Sequence, residues 1–265
     1  MNNKLIFTFL IGFIIQTGFS QTFDKAKLDN YFQALENNNK FMGSVAVSQN
    51  GKLIYTKSVG YADIETNTKA NENSKYRIGS ISKTFTTVLI LKATEEHKLD
   101  LTQTIDKYFP TVTNASKITI SQLLYHRSGI PNFTNDKSYL NWNTQSKKES
   151  EMLEIVVKSG SDFEPDSKAE YSNSNFLLLS YILEKVYKKN YSKVLEDKII
   201  KPLGLQNTFF GGKINLKNNE CYSYKFLANW NKETETDLSI PMGAGAIVST
   251  PTDLTIFSTA LFEGK

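Results

Sequence analysis

Tyr76-Arg77-Ile78-Gly79-Ser80-Ile81-Ser82-Lys83 is the stretch on which the reading of this chain turns. A short extended run, 76–78, meets a glycine and then a helical pattern over 81–97. Within that pattern Phe85, Val88, Leu89, Ile90 and Leu91 spread over a broad apolar surface. The helix is therefore expected to be buried on several sides, with Lys92 on the side that stays wet. Ser80 and Lys83 form an S-x-x-K pair, and a lysine three residues on lies on the same helical face, one turn away. Serine is a poor nucleophile until something takes its proton. A hydroxyl at the start of a helix sits at the positive end of the dipole. A desolvated Lys83 can lose its proton and act as the base. The pattern is short, and in a chain rich in Ser and Lys it arises easily by chance. A plain N-cap serine and a solvated surface lysine fit it equally well when it is taken alone.

The surroundings are read outward from there. The apolar positions Leu28, Phe32 and Leu35 predict an amphipathic helix over 24–36. Alternating runs at 43–48 and 52–58 are joined through Asn50-Gly51, a strong β-hairpin signal because both residues accept positive φ. A short helix is expected over 121–125, and further helices over 149–157, 175–186 and 191–199. Residues 131–146 are polar and aromatic and read as a loop. Gly243 to Ser249 reads as a small-residue strand, and Thr252 as the N-cap of a last helix.

The bulk composition is that of an ordinary globular domain, with 265 residues, 40% hydrophobic and 22% charged. The net charge of +4 comes without a block of like charge, so nothing argues for nucleic acid. One cysteine, Cys221, excludes an intrachain disulfide. One Cys and two His, His97 and His126, make no zinc site, and no metal or cofactor is implied. Residues 1–20 read as a signal peptide: Lys4, an apolar run over 5–15, then Gly18-Phe19-Ser20 with small residues at the cleavage positions. Such a run spans only about half a bilayer core, so no stable membrane anchor is expected after cleavage near Ser20-Gln21. The mature chain, 21–265, is expected to be periplasmic or secreted.

Several separate stretches resemble one family, in family order and over nearly the whole mature chain. They are the 76–83 segment; Leu123-Leu124-Tyr125-His126-Arg127-Ser128-Gly129-Ile130-Pro131; Phe163-Glu164-Pro165 followed by Tyr171-Ser172-Asn173; Pro202-Leu203-Gly204-Leu205 with Asn207-Thr208; and 243–254. They resemble the serine β-lactamases, penicillin-binding proteins and related esterases, nearest the class C β-lactamase and D-alanyl-D-alanine carboxypeptidase branch. The resemblance implies an α/β (α+β) fold, an antiparallel sheet flanked by helices plus a mostly helical lobe at about 84–235. It implies Ser80 as the acylated nucleophile, with Lys83 holding or accepting its proton. Tyr171 would share the base role and protonate the leaving group. Asn173 would bind the substrate's amide carbonyl or support Lys83, and the Ser80 amide would form half of an oxyanion hole.

Tyr139-Leu140-Asn141 also fits Y-x-N but lacks the F-x-P lead-in, so Tyr171 is preferred. His126 lies in no G-x-S-x-G context and reads as a structural histidine bonding backbone. The family's third motif, K-T-G or H-x-G, does not occur after Tyr171, and the C-terminal strands that carry it are expected to be missing, as in a fragment. The expected function is an exported serine hydrolase with an acyl-serine intermediate. Its substrates would be D-Ala-D-Ala peptides, β-lactams or small esters and amides. The alternative is a non-catalytic binding protein of the same fold.

Overall fold

The computed structural model describes residues 23–264. The expected leader, 1–20, lies outside the described residues. The first helix, Lys25–Asn37, is capped by Asp24, whose side chain accepts from the Lys27 amide. It lies on the hairpin Gly43–Gln49 and Lys52–Val59, where Phe32 stacks on Tyr55 and the Tyr55 hydroxyl donates to Asp29. Asn50 and Gly51 both take positive φ, 51° and 72°, as the Asn-Gly turn requires. The last helix, Pro251–Phe262, packs on the same hairpin and connects it to the rest of the molecule. Its Phe257 stacks on Phe85 with ring centroids 3.8 Å apart.

Two helices make the centre. Ser82–Glu95 buries Ser82, Lys83, Phe85, Thr86, Leu89, Ile90 and Ala93. Asn173–Tyr187 is buried continuously from Ser174 through Leu183. A helix apolar on most sides can only sit inside, and the core forms around these two. A small antiparallel sheet flanks them in the order Tyr76–Arg77, Ile247–Ser249, Phe209–Phe210. Tyr76 pairs with Ser249 and Arg77 with Val248, so the chain leaves this sheet directly into Gly79 and Ser80. Helices and antiparallel sheets therefore combine as the α/β class requires.

Some expected boundaries move. The stretch 131–146 contains a 3-10 turn, Phe133–Asn135, and a single helical turn, Tyr139–Trp142. The central helix begins at Asn173, two residues before the expected start. Thr250, not Thr252, caps the last helix, accepting from the Asp253 amide. Only Ile247–Ser249 of the expected 243–249 strand is extended, and Met242–Ala244 is a 3-10 turn. The reason is that the Gly243 and Ala244 carbonyls are taken by side chains of the helix Ser82–Glu95, Thr86 at 2.7 Å and Lys83 at 2.8 Å. A second hairpin, Tyr224–Leu227 with Asn229–Lys232, lies within the lobe expected to be mostly helical.

Gly243 marks how closely that turn is pressed between the two central helices. A Cβ there would lie 2.8 Å from Thr86 Oγ1, 2.9 Å from Ser180 Cβ and 3.2 Å from the Phe176 carbonyl. Gly243→Ala is therefore expected to destabilise the fold by about 1–3 kcal/mol, the usual cost of overpacking. Chemical denaturation checks this. Unchanged stability would mean that the turn can back away without loss.

Candidate active site

Ser80 stands in a 3-10 turn, Gly79–Ile81, that leads into the helix Ser82–Glu95. Gly79 has φ 52°, a left-handed conformation that costs glycine nothing and lets the sheet strand break sharply into the helix. The turn puts Ser80 at the surface and Lys83, one turn on, in the interior at 7% exposure. Lys83 is thus not the solvated cation that a bland reading of S-x-x-K allows. Ser82 points the other way and fixes the scaffold, its Oγ accepting from the Ile247 amide at 3.1 Å. The Ile78 amide donates to the Ile247 carbonyl on the neighbouring turn of chain.

The structure brings together the four residues singled out in the sequence. Ser80 Oγ lies 2.7 Å from Tyr171 Oη. Lys83 Nζ lies 3.1 Å from Ser80 Oγ, 2.8 Å from Asn173 Oδ1 and 2.8 Å from the Ala244 carbonyl. Tyr171 Oη also reaches Asn173 Oδ1 at 3.3 Å. Tyr171 is on the segment just before the central helix, and Asn173 is that helix's first residue.

The orientation of Asn173 is forced by its neighbours. Its backbone amide and its Nδ2 both donate to Asn132 Oδ1, at 3.1 and 3.2 Å, and Nδ2 also donates to Thr134 Oγ1 at 3.3 Å. The amide side of Asn173 is thereby used up, and its oxygen must face Lys83. Two of the Nζ contacts, Asn173 Oδ1 and the Ala244 carbonyl, are therefore pure acceptors. A neutral amine has two N–H bonds and one lone pair. With both N–H bonds spoken for, the lone pair is left facing the Ser80 hydroxyl. The charged form satisfies the same geometry by donating to Ser80 as well. This arrangement can hold a proton or take one without moving.

Burial works in the same direction. Desolvation pulls the Lys83 ammonium below its ordinary pKa, against the hydrogen bond and charge of Tyr171, which raise it. The Nζ also lies 4.8 Å from the Tyr171 ring centroid, a contact that favours the charged form. His126 is held below its ordinary pKa by burial first and by the charge of Lys83 second.

Asn132, Thr134 and the Ala244 carbonyl are the functional neighbours that sequence reading missed. Asn132 had one available signal, its place just after Ile130-Pro131 at the cap of a short turn, where its Oδ1 also accepts from the Thr134 amide. The other Y-x-N tyrosine, Tyr139, packs on Trp142 and Phe133. Among the described residues no cluster of His, Cys, Asp and Glu could hold a metal ion.

The chain is similar in sequence and in fold to several known proteins. Teichoic acid D-alanine hydrolase of Staphylococcus aureus is 32% identical over 247 residues, which cover 90% of this chain. The chain spans 58% of the length of that relative. D-amino acid amidase from Ochrobactrum anthropi SV3, solved with D-phenylalanine, superposes with a TM-score of 0.79 at 26% identity, over 90% of this chain and 72% of that one. FmtA from Staphylococcus aureus superposes with a TM-score of 0.77 at 31% identity, over 90% and 65% of the two chains. The Beta-lactamase family model matches residues 28–265, and the chain belongs to that family.

Proposed function

We propose that this chain carries the site of an exported serine hydrolase that cleaves D-alanyl or other D-amino-acyl esters and amides through an acyl-serine intermediate. Of the substrate classes that the family resemblance implies, this one is favoured by the names of two similar proteins, a teichoic acid D-alanine hydrolase and a D-amino acid amidase. The observation that carries the reading is the placement of Lys83 Nζ. It has two fixed acceptors behind it and Ser80 Oγ in front, with Tyr171 Oη on the other side of that same oxygen.

These distances support the following reaction. The Ser80 hydroxyl gives its proton to Lys83 or Tyr171, and Oγ bonds to the substrate carbonyl carbon. Negative charge gathers on the carbonyl oxygen, where the Ser80 amide supplies a donor. The carbonyl re-forms, the C–O or C–N bond to the leaving group breaks, and Tyr171 protonates the departing alkoxide or amine. Water then attacks the acyl-serine, giving a proton to the same base pair, and Ser80 leaves with a proton as the free acid departs. Asn173 and the Ala244 carbonyl keep Lys83 in register throughout.

Export rests on the residue pattern of 1–20. Among the described residues no helix is long and apolar enough to cross a membrane. We take residues 21–265 as belonging to the hydrolase domain of this family, with a helical lobe at about 84–235 interrupted by the second hairpin.

Matched D- and L-alanyl esters and anilides test the substrate class. Turnover of the D series at least about tenfold faster in kcat/KM is expected, a discrimination of about 1.4 kcal/mol. Equal rates, or preference for the L series, would overturn the D-amino-acyl assignment. No turnover of either series, with Ser80 also inert to a fluorophosphonate, would leave a binding protein with this fold.

A further inference from the structure

His126 is used by none of the steps above, yet it stands against the residue that carries the leaving-group proton. Its ring centroid is 4.7 Å from that of Tyr171 and 5.2 Å from that of Phe176. It follows the short helix Ile120–Leu124, and its own φ is 56°. Its carbonyl accepts from the Glu170 amide, so the segment around 126 is tied to the one that leads into Tyr171.

The protonation of the ring can be read from its partners. The Ser172 amide points at Nδ1 at 3.2 Å, and a backbone N–H can only donate. Asn175 Nδ2 approaches the same nitrogen at 3.3 Å. With Nδ1 fixed as an acceptor by the Ser172 amide, Asn175 must present its NH2 to it. That leaves Asn175 Oδ1 to accept from the Ser128 hydroxyl at 2.7 Å, while Ser128 Oγ itself accepts from the Ile130 amide at 3.0 Å. Nδ1 is an acceptor from two donors, and a proton on it would face both.

We propose that His126 acts as the neutral Nε2–H tautomer in a positioning role, its Nδ1 holding the Ser172 amide and thereby fixing Tyr171 and Asn173 on either side of it. Ser172 sits between the proton donor and the residue that orients Lys83. Displacing one amide therefore disturbs both partners of Ser80. The charges near this ring support the neutral form. Lys83 on the nucleophile helix is the charge that acts on His126. Arg127 and Asp166 pair with each other, as do Lys168 and Glu170. Among the described residues, no carboxylate charge acts on His126.

The role rests on the acyl-serine reading, but the tautomer does not, and the two are tested separately. The chain has two histidines, so 15N labelling of His with His126→Asn as the reference assigns the spectrum. At neutral pH, Nδ1 of His126 is expected to show the shift of an unprotonated ring nitrogen and Nε2 that of a protonated one. A protonated Nδ1 would overturn the proposal whatever the activity.

The second arm compares His126→Asn with His126→Leu by Ser80 acylation kinetics. Asn tolerates positive φ and offers an oxygen in place of Nδ1. It is expected to stay within about threefold of the unmodified rate. Leu fills space without an acceptor and is expected to lose about 10- to 100-fold in the acylation rate constant with little change in half-saturating concentration, as misplaced groups do. Equal rates for Leu and His, or equal losses for Asn and Leu, would overturn the positioning role. If the unmodified chain does not acylate at all, the acyl-serine reading has failed, and the tautomer spectrum still decides whether the clamp exists.

Discussion

Lys83→Met is expected to slow acylation of Ser80 by about 10³-fold, within the usual range for loss of a positioned general base. Methionine nearly fills the space of the lysine stem but leaves Ser80 Oγ without a basic nitrogen at 3.1 Å. The fold should survive. The Ala244 carbonyl loses its donor, at a cost of about 1–3 kcal/mol, while Asn173 Oδ1 keeps the Tyr171 hydroxyl. Against that, the cost of keeping an ammonium buried is removed, and the two effects oppose each other. Thermal melting should therefore move little beside the kinetic loss. A rate within threefold of the unmodified protein would show that Lys83 is a support and not a base.

The pH dependence follows from the same residue, with the sign fixed by its burial. The folded Lys83 loses its proton more easily than a free lysine. If the amine is the base, acylation rises with pH and levels off once the folded pKa is passed, earlier than a free lysine would allow. That limb should vanish in Lys83→Met. The accompanying stability effect runs the same way. A lysine whose folded pKa is lowered disfavours folding when charged, so its contribution worsens as pH falls through the interval between the unfolded and folded values.

Tyr171→Phe is the second large effect, expected to cost about 10²- to 10⁴-fold on amides. The ring is retained, so its contacts with His126 and with the Lys83 ammonium remain. Only the hydroxyl 2.7 Å from Ser80 Oγ is lost. At 47% exposure the side chain contributes little to packing, and stability should change by no more than about 0.5 kcal/mol. The loss should depend on the leaving group. An anilide needs a proton on its departing nitrogen, whereas a nitrophenolate leaves unaided. Nitrophenyl esters should therefore suffer much less than anilides. Equal losses on both would remove Tyr171 from the leaving-group step and restrict it to activating Ser80.

The parts of this site that could be read from the chain are those carried by short motifs. Ser80 and Lys83 are marked by their one-turn spacing, whereas Tyr171 and Asn173 are legible only through the resemblance of Tyr171-Ser172-Asn173 to a family motif. The parts that could not be read are set by tertiary contact. The Ala244 carbonyl has no side-chain sign, and it entered the site only because the expected strand turns aside at Met242–Ala244. Asn132 lies in a stretch without periodicity, and its helical turns of three and four residues are too short to show one. The same limit hid the second hairpin. Its turn runs through Ala228 at φ 62°, where a glycine or asparagine would have announced it. The Asn50-Gly51 hairpin carries that announcement, and its strands run one residue beyond the expected 43–48 and 52–58, with a register shift between Val47 and Ser48 that has no sign in the sequence.

Every step of the proposed reaction requires Ser80 Oγ to be the atom that attacks. The most direct measurement is intact-protein mass spectrometry after exposure to a fluorophosphonate, followed by peptide mapping. One adduct is expected, on the peptide containing Ser80, absent in Ser80→Ala and slowed in Lys83→Met. An adduct on another residue, or one that persists in Ser80→Ala, would contradict the account.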